Sequence, residues 1–104
     1  MLDSLRFLGL LNKGGNTLIG DAILKKIDKV KLIIIAKDAS NNTKKQLMDA
    51  MYYRGIKVNF VESSEELGEA LGFAKLSAVA LTNDKASKRY LEKVEMEVKK
   101  DEER

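Results

Sequence analysis

The chain has 104 residues, 44% of them hydrophobic, and carries 19 Lys and Arg against 16 Asp and Glu for a formal net charge of +3. It contains neither cysteine nor histidine, which excludes disulfides, thiol nucleophiles, Ser-His-Asp triads and His-ligated metals together. Its length fits one domain with one modest core, and its apolar runs are far shorter than the ~20 residues of a membrane span.

The charge is unevenly distributed. Residues 92–104 hold six acids and four bases, which leaves 15 bases against 10 acids in residues 1–91. A mildly basic body suits an anionic partner such as RNA, and many ordinary domains share it. With Asp3 and Arg6 near the start and no long apolar stretch there, no secretory signal is expected. The expectation is a cytoplasmic protein without cofactor or metal and with no membrane association.

In chain order, residues 3–13 read as a helix with Leu5, Leu8 and Leu11 on one stripe, Asp3 or Ser4 as cap, and Gly14-Gly15 as its stop. Residues 17–19 form a short extended piece. After Gly20 a helix is expected from Asp21 to Val30, with Ile23, Ile27 and Val30 on one face and Lys25, Lys26 and Lys29 towards the other. Leu32 to Ala36 is a continuous apolar run, the mark of a central strand covered on both faces. Residues 43–54 read as a helix with Leu47, Ala50, Met51 and Tyr53 inward, stopped by Gly55. Residues 56–61 alternate as a less buried strand would. Ser63 or Ser64 caps a helix to Leu71, with Glu66 at capping-box spacing from Ser63, and Gly72 ends it. Residues 77–81 form another buried strand. A last helix starts near Asn83-Asp84 and carries Tyr90, Leu91, Val94 and Val98 at helical spacing.

Strands alternating with helices of about ten residues define the α/β class. The expected architecture is a three-layer α/β/α sandwich with a mixed sheet of about four strands. Residues 1–98 make a single domain, and residues 99–104 make a charged tail expected to fray.

Three groups of residues bear on chemistry. Gly14-Gly15-Asn16-Thr17-Leu18-Ile19-Gly20 lacks the spacing of a dinucleotide fingerprint and the ending of a P-loop. It reads as a helix stop plus a turn, or as a place where a ligand backbone approaches the helix after Gly20. Asp38 and Asp84 follow strand ends, where α/β sheets place sites; they could hold magnesium, and capping of the adjacent helix or turn is the favoured reading. The basic residues default to solvated faces. Loops at one end of the sheet would nonetheless gather Gly20, Lys37 and Phe73 to Lys75 in one basic region, with Phe73 either tucked inward or offered to an unpaired base.

With these residues in place, the chain resembles the kink-turn RNA-binding ribosomal protein superfamily, of the L-seven-Ae and L-thirty-e type, and most of all its small bacterial YlxQ-like branch. The resemblance runs over about residues 4–94. It is carried by Leu8-Gly9-Leu10, Leu18-Ile19-Gly20, the run from Lys31 to Thr43, Tyr53, Gly55, Val61-Glu62-Ser63, Glu66-Leu67-Gly68, Ala70, Gly72 and Val79 to Thr82. It implies an α/β/α sandwich and a non-catalytic ribonucleoprotein role with structured RNA, ribosomal RNA among the candidates, as partner. By position it implies an RNA site at Gly20, Asp21, Ala22, Ile23 and Lys26 on the second helix, at Lys37 and Asp38, and at Phe73, Ala74 and Lys75. Ala22 and Ile23 stand where the family carries the Asn and Glu that read sheared G·A pairs, a reading Ala and Ile cannot perform. The alternative register, Gly14 to Thr17, keeps the Asn and loses the Glu. A second reading follows: a protein-interaction or assembly module, with a protein partner or homodimer seated on an apolar patch at Ala22 and Ile23.

Overall fold

The computed structural model describes residues 2–102. Its elements are α1 (Asp3–Lys13), β1 (Thr17–Ile19), α2 (Ala22–Lys25), β2 (Leu32–Ala36), α3 (Asn41–Tyr53), β3 (Lys57–Val61), α4 (Ser64–Leu71), β4 (Ala78–Leu81) and α5 (Asp84–Glu102), with a 3-10 turn at Ile27–Lys29. The sheet order is β1-β4-β2-β3. β2 pairs parallel with β3, aligning Leu32 with Lys57, while β4 runs antiparallel to both β2 and β1. Every residue of the two central strands is buried, as their unbroken apolar runs require.

Side chains alternate across these strands and feed two cores. Leu32 and Ile34 join Val79, Leu81 and Tyr90 beneath α1, α4 and α5. Ile33 and Ile35 join Ala78 and Ala80 beneath α2 and α3, where Ile23, Leu47 and Met51 close the layer. The mixed, four-stranded α/β/α sandwich expected from the sequence is the fold. Each fully buried aliphatic side chain contributes about 1.5–3 kcal/mol relative to exposure.

Helix starts follow local chemistry. The Ser40 hydroxyl accepts from the Thr43 N–H at 3.1 Å, Ser63 accepts from Glu66 at 3.1 Å, and the Asn83 amide oxygen accepts from Ala86 at 3.0 Å. Such caps contribute about 1 kcal/mol each. Gly72, at φ +89°, ends α4 in the left-handed conformation that side chains disfavour. The start of α1 differs from expectation. Neither Asp3 nor Ser4 caps it; the Glu97 carboxylate reaches over from α5 and accepts from the Ser4 N–H at 3.0 Å and the Ser4 hydroxyl at 2.7 Å. Asp3 instead pairs with Lys93 at 3.0 Å, and that bonded ammonium lowers its carboxyl pKa.

Two further expectations are corrected, and two others gain detail. The helix expected from Asp21 to Val30 is one turn of α-helix and then a 3-10 turn. A 3-10 turn rises about 2.0 Å per residue against 1.5 Å in an α-helix, so it stretches the same few residues further between β1 and β2. Tyr53 is 91% exposed, because Leu47 and Met51 alone form the buried stripe of α3. Val98 is half exposed: the 19-residue α5 spans about 28 Å, against about 17 Å for a five-residue strand, and overhangs the sheet. The glycine pair ends α1 as expected: the helix stops at Lys13, Gly14 caps it and Gly15 takes a positive φ.

Candidate nucleic-acid interface

Strand direction decides which loops meet. β1, β2 and β3 end at one edge of the sandwich, where β4 begins. The turn at Gly20, the loop after Ala36, the turn after Val61 and the segment before Ala78 therefore lie together. Backbone bonds stitch them: Ala36 N–H to Ser77 C=O at 2.9 Å, Lys37 to Val61 at 2.9 Å, and Leu76 to Ser64 at 2.9 Å. Ligands of open α/β sheets bind outside such carboxyl ends.

A cleft of about 340 Å³ opens at this edge. Gly20, Asp21 and Ile23 line one wall, Lys75 to Ala78 another, and Thr43 and Gln46 of α3 face in across it. Gly20 sits at φ +63° with no atom within 4 Å of where a Cβ would stand, so a ligand backbone can approach it freely. The segment from Phe73 to Lys75 is held against α4. The Phe73 N–H donates to the Gly68 C=O at 2.8 Å, and a Cβ on Gly68 would stand 2.8 Å from both the Phe73 carbonyl oxygen and the Lys75 Cα.

The residues singled out from the sequence separate into groups. Gly20, Asp21, Ile23 and Lys75 share the cleft. Ile23 is 2% exposed and belongs to the core, so it forms the cleft floor, and the apolar patch expected of Ala22 and Ile23 shrinks to half-buried Ala22. Lys26 is exposed just past the last residue of α2, outside the cleft. Phe73 and Ala74 are exposed at the same segment without lining it; Phe73 is 47% exposed, an available aromatic face. Lys37 and Asp38 lie beside the cleft and are engaged elsewhere. Lys37 pairs with Glu62 at 2.8 Å, and Asp38 accepts from the Ser64 N–H at 2.8 Å, capping α4. Asp84 is the first residue of α5 and leaves the capping to Asn83.

Sequence reasoning missed Thr43 and Gln46. The signal was there in their spacing, since i and i+3 share a helix face and Leu47 beside them is the inward anchor. Charge also differs from the basic rim expected. Lys75 stands 3.9 Å from Glu65, and the Lys44 ammonium is bonded to the Lys37 carbonyl at 2.9 Å, so the lysines around the cleft are largely matched by acids or carbonyls. A larger hollow, about 520 Å³, lies on the other face between α1, β3 and α5. Its inner polar groups are already paired, Ser4 with Glu97 and the Tyr90 hydroxyl with Asn59 at 3.0 Å.

The fold and its loop-built cleft define a small α/β/α domain of the ribosomal-protein type. The chain belongs to the ribosomal protein L7Ae/L30e/S12e/Gadd45 family, whose pattern it matches over residues 21–91. It is 34% identical over 79 residues to the RNA-binding protein YlxQ of Bacillus subtilis, a match covering 73% of this chain and 79% of that one. A structure from Bacillus halodurans, of a protein with unknown function, superposes with a TM-score of 0.84 at 26% identity, covering 91% of this chain and 99% of its own. The Giardia lamblia 15.5kD RNA binding protein shares the fold at a TM-score of 0.70 and 22% identity, over 88% of this chain and 82% of its own. No described helix is long and apolar enough to cross a membrane.

Proposed function

We propose that this chain is a non-catalytic RNA-binding protein of the cytoplasm that holds a segment of structured RNA, ribosomal RNA being the first candidate, in the cleft at the carboxyl ends of β1 and β2. The observation that carries the reading is the convergence of open, positive-φ Gly20 with Lys75 and Gln46 on one concavity. Gly20 and Asp21 let a phosphate approach the backbone, Lys75 supplies charge by exchanging its exposed 3.9 Å contact with Glu65 for the phosphate, and Phe73 offers a ring to a splayed base. Lys26, Lys37 and Asp38 border this contact, and Ala22 and Ala74 stand beside the cleft, outside its lining.

Without the Asn-Glu pair at Ala22 and Ile23, sheared pairs have to be read by another group. The Gln46 amide carries both donors and an acceptor, and it is exposed and faces the cleft. Family membership and the relative named as an RNA-binding protein support the reading. The test is titration of the full chain against a hairpin containing an internal loop and against the same stem fully paired. The looped RNA should bind more tightly, and Gln46→Ala should weaken it about tenfold, the size of one net hydrogen bond to a base. Equal affinity for both RNAs, unchanged by Gln46→Ala, would refute cleft recognition.

A further inference from the structure

We propose that the end of the sandwich opposite the cleft is a second RNA contact surface, one that takes backbone phosphates on Lys and Arg side chains. The inference rests on the RNA-binding reading above and adds a site to it.

The topology builds this pole. β2 and β3 begin here and β4 ends here, so their flanking residues meet α5 as it starts. The Lys31 N–H donates to the Leu81 C=O at 2.7 Å, Lys57 pairs with Leu32, and α5 opens at Asp84. Lys31, Arg54, Lys57, Lys85, Lys88 and Arg89 are all exposed at this end. Among the described residues none of the six has a carboxylate within the 4.0 Å of an ion pair. Asp28 and Asp84 are acids in the segments flanking this pole, and exposed Glu92 follows Lys88 by one turn of α5. The contrast with the cleft is direct: there Lys37 and Lys75 face Glu62 and Glu65, whereas here the cations are left to solvent.

Aromatic surface accompanies the charge. Tyr52 and Tyr53 close α3 beside Arg54 and are 88% and 91% exposed. Met51 alone of that turn packs into the core, so folding makes no use of the two rings. Exposed rings among unpaired cations suit nucleotides, whose bases stack and whose phosphates carry the charge. A lipid surface would favour an amphipathic helix with a broad apolar face, and the cations here come from separate segments: the residue before β2, the turn from α3 into β3, and the start of α5. The poles lie at least a five-residue strand apart, about 17 Å, so they engage different RNA segments.

The experiment measures binding of the full chain to a labelled internal-loop hairpin with single-stranded flanks over a range of salt. A variant with Lys57→Gln, Lys85→Gln, Lys88→Gln and Arg89→Gln, its fold checked by circular dichroism, should bind more weakly. Its plot of log affinity against log salt should flatten by about 0.7–0.9 for each phosphate that is no longer neutralised. Gln46→Ala in the cleft should weaken binding and leave that slope intact. Tyr52→Ala with Tyr53→Ala should weaken the flanked hairpin about tenfold or more, as removal of base stacking does. Wild-type affinity and slope in the fourfold Gln variant would overturn the second surface and leave the cleft standing. Weakened binding to anionic lipid vesicles with RNA binding unchanged would assign the pole to membranes and overturn it too. A wild-type chain that binds no RNA at low salt would sink both readings.

Discussion

Tyr90 shows how one buried polar atom ties a core to pH. Its side chain is fully buried with its hydroxyl on Asn59, and burial pushes the phenol well above its ordinary value of 10.0. A raised folded value means that the contribution is complete below the unfolded value and declines as pH rises through and beyond it. Unfolding free energy should therefore fall above pH 10, and Tyr90→Phe should fall less steeply there. Near neutrality that variant should cost about 0.5–1.5 kcal/mol for the missing hydrogen bond; denaturant titrations at both pH values measure each effect. Gly68 makes the complementary point about space. Gly68→Ala drives a Cβ into the Lys75 and Phe73 backbone, and overpacking of that kind costs about 1–3 kcal/mol. Because the displaced segment carries Lys75, RNA affinity should drop along with the melting temperature; a variant that melts earlier yet binds RNA as before would uncouple the segment from the site.

Among the elements, α1 depends on a distant partner for its start. Its first turn has no side-chain cap of its own and relies on Glu97. Glu97→Ala should cost about 1–2 kcal/mol, the larger end of a removed cap, where Glu97→Gln should cost less by keeping an acceptor; thermal unfolding of the two variants distinguishes them. We propose that α5 frays beyond Val98, since Lys99 and Lys100 lie exposed past the sheet, and their amides should exchange near the unprotected rate. Residues 103 and 104 of the expected tail lie outside the described residues. Elements whose signals were local were legible in the sequence: the apolar run of β2, the Ser63 cap, the Gly72 stop. The end of α2 was not, because Ile23, Ile27 and Val30 keep helical spacing while the distance the chain must cover breaks the helix. The cap on α1 was equally hidden, since its acceptor lies 93 positions away. The loops of the cleft were named correctly as neighbours, whereas the pairing of Lys37 with Glu62 depends on strand register that one sequence does not display.

At the scale of the whole molecule, the two cores share β2 and β4, whose residues alternate between them. Ile33→Ala and Ile34→Ala weaken opposite faces, each by about 2–5 kcal/mol. Both should lower a single common unfolding transition followed by circular dichroism; two separable transitions in either variant would contradict the shared sheet. The contact between Ser4 and Glu97 has one more consequence. It brings the beginning and the end of the described chain side by side at the same edge, next to the overhanging last turns of α5. A short flexible linker could join the two there, and new termini could then open at an exposed turn such as Gly55. That circularly permuted protein should keep the sheet order and both cores, because no strand pairing depends on where the polypeptide is cut.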